Sequence, residues 1–303
     1  EGDMMGRQGF KVLQQALIGA LALGLAGTAA AATEITIYTD NYAADEALSR
    51  VAADVLEAHY DVDVTLQSAS VGVCFLGTAR NENSLFLAAW LPKTHADYMA
   101  RVKDDVDVLG TLYNGARLGW VVPAYVPEDQ LGSIADLKKP AIADKLDGRI
   151  QGISAGAGEM QLSRQAMDAY DLKDNLRLVT ASGPAMTAAL ARAIDNQEWI
   201  VVTGWSPHWM WERYDLRYLD DPKGLLGGRE HVDIIANPSI KAGHPEIAAF
   251  FSRMTVPLSK INDLLADANA SSYDAAAERF VANEREMIAT WLGSSGESRD
   301  DDR

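Results

Sequence analysis

Apolar positions along this chain follow two rhythms in turn. Ile35-Thr-Ile-Tyr38 alternates with period two, whereas Leu48, Val51, Ala52, Val55 and Leu56 fall at helical spacing within residues 43–60. That pattern predicts a strand followed by an amphipathic helix. Val62-Asp-Val-Thr-Leu66 reads as a second strand, residues 71–79 as a short helix, and Ser84-Leu-Phe-Leu-Ala-Ala-Trp90 as a buried strand that stops at Leu91-Pro92. Arg117-Leu-Gly-Trp-Val-Val-Pro123 is another apolar strand, and Arg149-Ile-Gln-Gly-Ile-Ser154 opens a new series. This series has a helix over 159–170, a strand at 176–179, a helix over 183–196 and a strand from Trp199 to Thr203. His231-Val-Asp-Ile-Ile-Ala236 returns as a strand, and helices follow from Pro245 to Leu292. Strands alternating with helices predict an α/β fold on a largely parallel sheet.

Two β/α series joined by two crossings divide the chain into lobes. Pro123 and Pro127 mark the first crossing, and the Gly- and Asp-rich run from Asp220 to Gly228 lies near the second. The expected organisation is residues 33–123 as the first part of lobe 1, 124–222 as lobe 2, 223–292 as the rest of lobe 1, and 293–303 as a disordered polar tail. Open α/β sheets take ligands beyond the carboxyl ends of their strands, so the cleft between the lobes is the expected site.

Composition narrows the class. The chain carries 27 basic against 43 acidic residues, a net charge of −16, which argues against coating nucleic acid or anionic lipid by bulk charge. The single cysteine, Cys74, sits in an apolar stretch and reads as core; one thiol makes neither an internal disulfide nor a thiolate metal site. His59, His231 and His244 are scattered without metal-ligand spacing, and no Gly-x-Ser-x-Gly elbow or paired nucleophile and base appears. No enzyme activity, metal or cofactor is expected. Asp45, Glu46 and Glu159 stand at predicted helix starts, where a carboxylate suits the positive end of the helix dipole. Near the start, Arg7 and Lys11 precede an apolar run from Ala16 and a small-residue stretch ending at Ala32. That order predicts a signal peptide over residues 1–32, with Glu1 to Met4 as tag or start-site residues, and hence export to the periplasm.

The candidate chemistry is aromatic. Of seven tryptophans, four lie between Trp199 and Trp211. Trp205 follows a glycine just beyond the strand predicted to end at Thr203, so its ring is expected at the cleft edge and outside the sheet. Trp90 also ends an apolar strand before a proline. Either ring can be core, or a wall for a cationic ligand, since indole faces attract cations at roughly 0.5–2 kcal/mol each and quaternary ammonium groups are held in aromatic cages.

Several blocks in order resemble the substrate-binding proteins of glycine betaine and related quaternary-amine ABC importers. They are Ala89-Trp-Leu-Pro-Lys-Thr-His95, Gly115-Ala-Arg-Leu-Gly-Trp-Val-Val-Pro123, Gly152-Ile-Ser-Ala-Gly-Ala-Gly158, Ile200-Val-Val-Thr-Gly-Trp-Ser-Pro-His-Trp-Met210 and Tyr214-Asp-Leu-Arg-Tyr-Leu-Asp-Asp-Pro-Lys-Gly224. The resemblance implies a two-lobed periplasmic binding protein, type II-like, that closes on a trimethylammonium head and docks on a membrane permease. It is expected to act as a monomer and without nucleic acid. By motif, Trp90 and Trp205 match cage tryptophans. Where the family usually reads Asn-Trp after the opening strand, this chain has Asn41-Tyr42, so Tyr42 is the expected third wall. The family also often carries an acid where Ala88 stands. Glycine betaine is the ligand the resemblance implies first, with choline, carnitine or a sulfonium analogue as alternatives.

A carboxylate on that ligand needs donors. His208 offers one near the cage, or else caps the helix expected from Pro207. Helix N-termini at Asp40-Asn-Tyr-Ala43 and at Gly156-Ala157-Gly158 offer backbone N–H groups, although the latter also reads as a plain β/α turn. His95 is either a rim donor or an exposed residue at a helix start.

Overall fold

The computed structural model describes residues 32–40, 42–226 and 228–293. The predicted signal peptide through residue 31, Asn41 and the tail beyond Gly293 lie outside the described residues. The elements run β1 (Thr33–Asp40), α1 (Ala43–His59), β2 (Val62–Ala69), α2 (Val71–Arg80), β3 (Ser84–Leu91), α3 (Ala96–Val102) and β4 (Asp107–Pro123). A 3-10 turn (Ile134–Lys138) then leads to α4 (Pro140–Lys145), β5 (Arg149–Gln151), α5 (Gly158–Ala169), β6 (Arg177–Val179), α6 (Gly183–Asp195), β7 (Val202–Ser206), α7 (Met210–Arg213) and β8 (Leu216–Tyr218). The chain continues through β9 (Arg229–Ala236), α8 (Pro238–Gly243), α9 (Pro245–Arg253), α10 (Leu258–Ala270), α11 (Tyr273–Asn283) and α12 (Arg285–Leu292).

The strands form one path in the order β2-β1-β3-β9-β4-β7-β5-β6, with β8 added on β4. The sheet is mixed, which corrects the largely parallel expectation. β1 with β3, and β5 with β6 and β7, are parallel. The central strands run antiparallel, β9 against both β3 and β4, and β7 against β4. Local periodicity identifies a strand but not the direction of a partner that returns more than a hundred residues later.

β4 joins the two halves. Its first part pairs with β9 as far as Arg117, and from Arg117 to Val121 it pairs with β7. The change of partner therefore falls within the strand, six residues before Pro123. Residues 107–116 escaped the periodicity because the β4–β9 ladder shifts register between Val108 and Gly110, Thr111 and Tyr113, and Asn114 and Ala116. Each bulge moves following side chains to the other face and breaks the period of two.

β7 corrects a second expectation. It spans Val202–Ser206, so Trp205 lies in the strand, opposite Leu118 of β4. Gly204 reads as a strand terminator in sequence, but a Cβ there would stand 2.6 Å from Val121 Cγ2. The glycine allows close packing within the strand and does not end it. Elsewhere the helices bury the faces their spacing predicts: α1 turns Ala44, Ala47, Leu48, Val51, Ala52, Val55 and Leu56 inward. Cys74 is buried beside Phe75 and Phe86, and burial pushes its thiol above the ordinary range. Among the described residues no helix is long and apolar enough to cross a membrane.

Candidate ligand-binding site

A cavity of about 180 Å³ opens between the two halves of the sheet. From the β1 side it is lined by Asp40, Tyr42, Ser70, Val71, Trp90 near the end of β3, and Thr94 and His95 after it. From the other side come Leu118, Ile153, Ser154, the 156–159 turn, Gly183 and Trp205. The sequence motifs that ended three separate predicted strands thus meet in one place.

Three rings form the apolar wall. Tyr42 meets Trp90 with ring centroids 6.2 Å apart at 72°, and meets Trp205 at 6.5 Å and 90°. Near-perpendicular contacts of this kind build a corner and not a stack. Trp90 is 4% and Trp205 7% exposed, so both are members of the core and wall residues at once. Hydrogen bonds fix the corner: Trp90 Nε1 donates to the Tyr42 hydroxyl at 2.9 Å, which lies 3.4 Å from the hydroxyl of Tyr113. Burial, with Tyr113 and Asp45 nearby, raises the Tyr42 hydroxyl well above its ordinary value, so it stays a neutral phenol.

The segment carrying Trp90 is tied down by two sets of hydrogen bonds. Trp90 N–H donates to His95 Nδ1 at 3.1 Å, and His95 N–H donates back to the Trp90 carbonyl at 2.9 Å. Glu230 of β9 accepts from the N–H of Thr94 at 3.0 Å and from its hydroxyl at 2.5 Å. On the other wall of the corner, Asp45 reaches back from the first turn of α1 to accept from Asp40 N–H at 2.6 Å, closing the turn that presents Tyr42. Its carboxyl is buried and raised well above its ordinary value, mainly by desolvation. The helix-start role expected of Asp45 thus includes holding the β1–α1 turn.

The polar part of the cavity is built by helix starts. No side chain caps α5, whose first residues Gly158 and Glu159 line the cavity, and α6 brings its first residue, Gly183. Such termini present N–H donors and a partial positive charge. Glu159 is more than a surface helix-start residue. It is 4% exposed, accepts from Gly204 N–H at 3.0 Å, and has a carboxyl raised well above its ordinary value by burial. Asp40 supplies a second carboxyl to the lining.

Of the residues singled out in the sequence, Tyr42, Trp90, Trp205, His95, Gly156, Ala157 and Gly158 all line the cavity. His95 is buried and not exposed, and burial holds its imidazole neutral, pushed down to about 3. His208 is not among the lining residues. Its Nδ1 accepts from Met210 N–H at 3.1 Å, capping α7, and its ring stands edge-on to Trp205 at 4.9 Å. The structure therefore places it outside the cavity lining, packed against Trp205. Asp40, Thr94, Glu159 and Gly183 are lining residues that periodicity did not single out, because nothing local distinguishes them from ordinary turn residues.

Burial pushes His208 down to about 4, which gives a pH prediction. A histidine kept neutral in the fold is charged in the unfolded chain below about pH 6.5, so unfolding is favoured progressively as pH falls toward 4. His208→Asn keeps an acceptor for Met210 N–H and removes this titration. The stability of wild type minus that of the variant, measured by urea unfolding, is expected to fall between pH 6.5 and 4.5 by up to about 1.4 kcal/mol per pH unit. A constant difference would show that His208 is not held neutral.

Comparison with known proteins places this geometry. The model of the substrate-binding domain of ABC-type glycine betaine transport systems matches residues 33–283. The glycine betaine/carnitine transport binding protein GbuC of Listeria monocytogenes is 33% identical over 158 residues, 52% of this chain and 52% of that protein, so the match spans about half of the relative's length. The crystal structure of lactococcal OpuAC, closed and complexed with glycine betaine, superposes with a TM-score of 0.79 at 31% identity, covering 86% of this chain and 99% of that one. The glycine/betaine/L-proline-binding protein ProX of Borrelia burgdorferi superposes with a TM-score of 0.80 at 28% identity, covering 86% and 96%. The mixed α/β fold is thus that of the two-lobed periplasmic binding proteins, as the sequence blocks implied. With a family match that runs from β1 into the end of α11, the chain belongs to the substrate-binding domains of ABC-type glycine betaine transport systems.

Proposed function

We propose that this protein captures glycine betaine outside the cytoplasmic membrane, in the periplasm, and hands it to the permease of an ABC importer as a monomeric receptor without catalysis. The observation that carries this reading is the pairing, within one cavity, of a three-ring corner with the uncapped start of α5. Tyr42, Trp90 and Trp205 take the trimethylammonium group through cation–π contacts. The N–H groups of Gly158 and Glu159, the first two residues of α5, take the carboxylate. Two lobes fit the pairing of the strands: β2, β1, β3 and β9 on one side, β7, β5 and β6 on the other, with β4 running through both and the crossings at Arg117 and near Arg229. The ligand has about eight heavy atoms, for which the upper bound is roughly −12 kcal/mol, so micromolar binding at about −8 kcal/mol is accessible.

Asp40 and Glu159 favour a second reading. Two carboxyls in the lining suit a cation whose far end donates a hydrogen bond, as the alcohol of choline does. Calorimetric titration of the refolded, ligand-stripped protein with glycine betaine, choline and carnitine separates the two. Micromolar glycine betaine with weak choline supports the first reading, and choline alone supports the second. Silence from all three removes both.

A further inference from the structure

Tyr98 lies on α3, between β3 and β4, and does not line the ligand cavity. Its ring belongs to the first half of the molecule, stacked on Phe75 at 5.8 Å and 20° and edge-on to His95 at 6.0 Å. Its hydroxyl reaches the other half. It donates to the Gly156 carbonyl at 2.7 Å and accepts from Gln161 Nε2 at 2.7 Å. Both partners belong to the turn and first helical residues of α5, and Gly156 itself lines the cavity.

Resting on the receptor reading above, we infer that Tyr98 is a latch that holds the cleft closed and sets how long a ligand stays, not which ligand is taken. Phe75 and His95, which hold the ring, lie in the same half of the molecule as Tyr98 itself. Both hydrogen bonds of the hydroxyl cross between the halves, so they are contacts of the closed form. Contacts made only in the closed form stabilise it relative to the open one and slow its opening. Entry depends instead on diffusion into the open cleft and on the cage, which Tyr98 does not touch. The rim adds a weaker tie, in which Lys93 Nζ donates to the Gly224 carbonyl from an exposed position. The Tyr98 pair differs in joining a core-anchored ring to the same turn that forms the ligand wall.

Tyr98→Phe keeps the stacked ring and removes both hydrogen bonds. In stopped-flow tryptophan fluorescence with glycine betaine, the association rate is expected to stay within about twofold, while dissociation quickens about tenfold, as for two hydrogen bonds of ordinary net strength. Gln161→Leu is expected to quicken dissociation about threefold, and the double variant to be no faster than Tyr98→Phe alone, because the two residues share one interaction. Wild-type dissociation in Tyr98→Phe, or a loss confined to association, overturns the latch. A ligand-free measurement separates this from the receptor reading: hydrogen exchange at residues 154–161 is expected to be faster in Tyr98→Phe than in wild type. Unchanged exchange overturns the latch whatever the protein binds, whereas a wild type that ignores all three ligands counts against the receptor reading alone.

Discussion

Gly158→Ala is expected to weaken ligand binding by about 100-fold while leaving the thermal unfolding of the ligand-free protein within a few degrees of wild type. The start of α5 lies directly on the segment after β3. A Cβ added at Gly158 would stand 2.4 Å from the Thr94 carbonyl oxygen, 2.6 Å from Thr94 Cγ2 and 2.8 Å from His95 Cδ2. The nearest of these is a backbone atom in a segment already held by Glu230, so it cannot swing aside as a flexible side chain would. Overpacking at such a contact costs about 1–3 kcal/mol, and the chain relieves it most cheaply by separating α5 from Thr94, which opens the cavity. The upper end of that range corresponds to roughly 100-fold in affinity. Titration calorimetry and a melting curve check both halves of the expectation. Full affinity in the variant would mean that this approach is not needed for binding. A large drop in ligand-free melting temperature would mean that the contact serves stability.

Trp205→Ala is the second large effect. The ring is desolvated, so the wall it provides for a quaternary ammonium group is worth about 2 kcal/mol or more, and its loss should lower affinity by roughly 30-fold. Because Trp205 also packs in the core against β4, truncation leaves a void, and stability should fall by about 3–5 kcal/mol. Trp205→Phe separates the two effects: it restores much of the packing with a ring of weaker cation attraction, so stability should recover further than affinity. Equal recovery of both would reduce Trp205 to a packing residue. Unchanged affinity in Trp205→Ala would remove it from the wall altogether.

From their sequence context Trp90 and Trp205 could be core or wall; the family motifs grouped them with Tyr42, and the structure brings the three rings to one cavity. Nothing local marks Thr94 and Glu230 as partners. They lie 136 residues apart, and their hydrogen bond exists only because β9 returns between β3 and β4. Glu159 looked like a dipole-matching helix start, and it is one. What sequence did not show is that α5 begins against β4 and β7, so that the same carboxyl is buried in the cavity lining. His208 had two readings in the sequence, a donor near the cage or a helix cap, and its bond from Met210 N–H, with its ring against Trp205, matches the cap. Gly204 and Gly158 illustrate the limit most simply. A glycine in sequence signals freedom or a turn, and here each one makes room for a neighbour that no local pattern names.

By itself the sequence determined most of the local elements, the aromatic residues that come to line the cavity and the family blocks, because periodicity and side-chain type act over a few residues. The tertiary structure decided the antiparallel centre of the sheet, the course of β4 through both halves, and which turns meet at the cavity. It also decided which polar groups are desolvated there. Those outcomes depend on contacts between segments tens to hundreds of residues apart, whose closing entropy is repaid only by packing the whole chain at once.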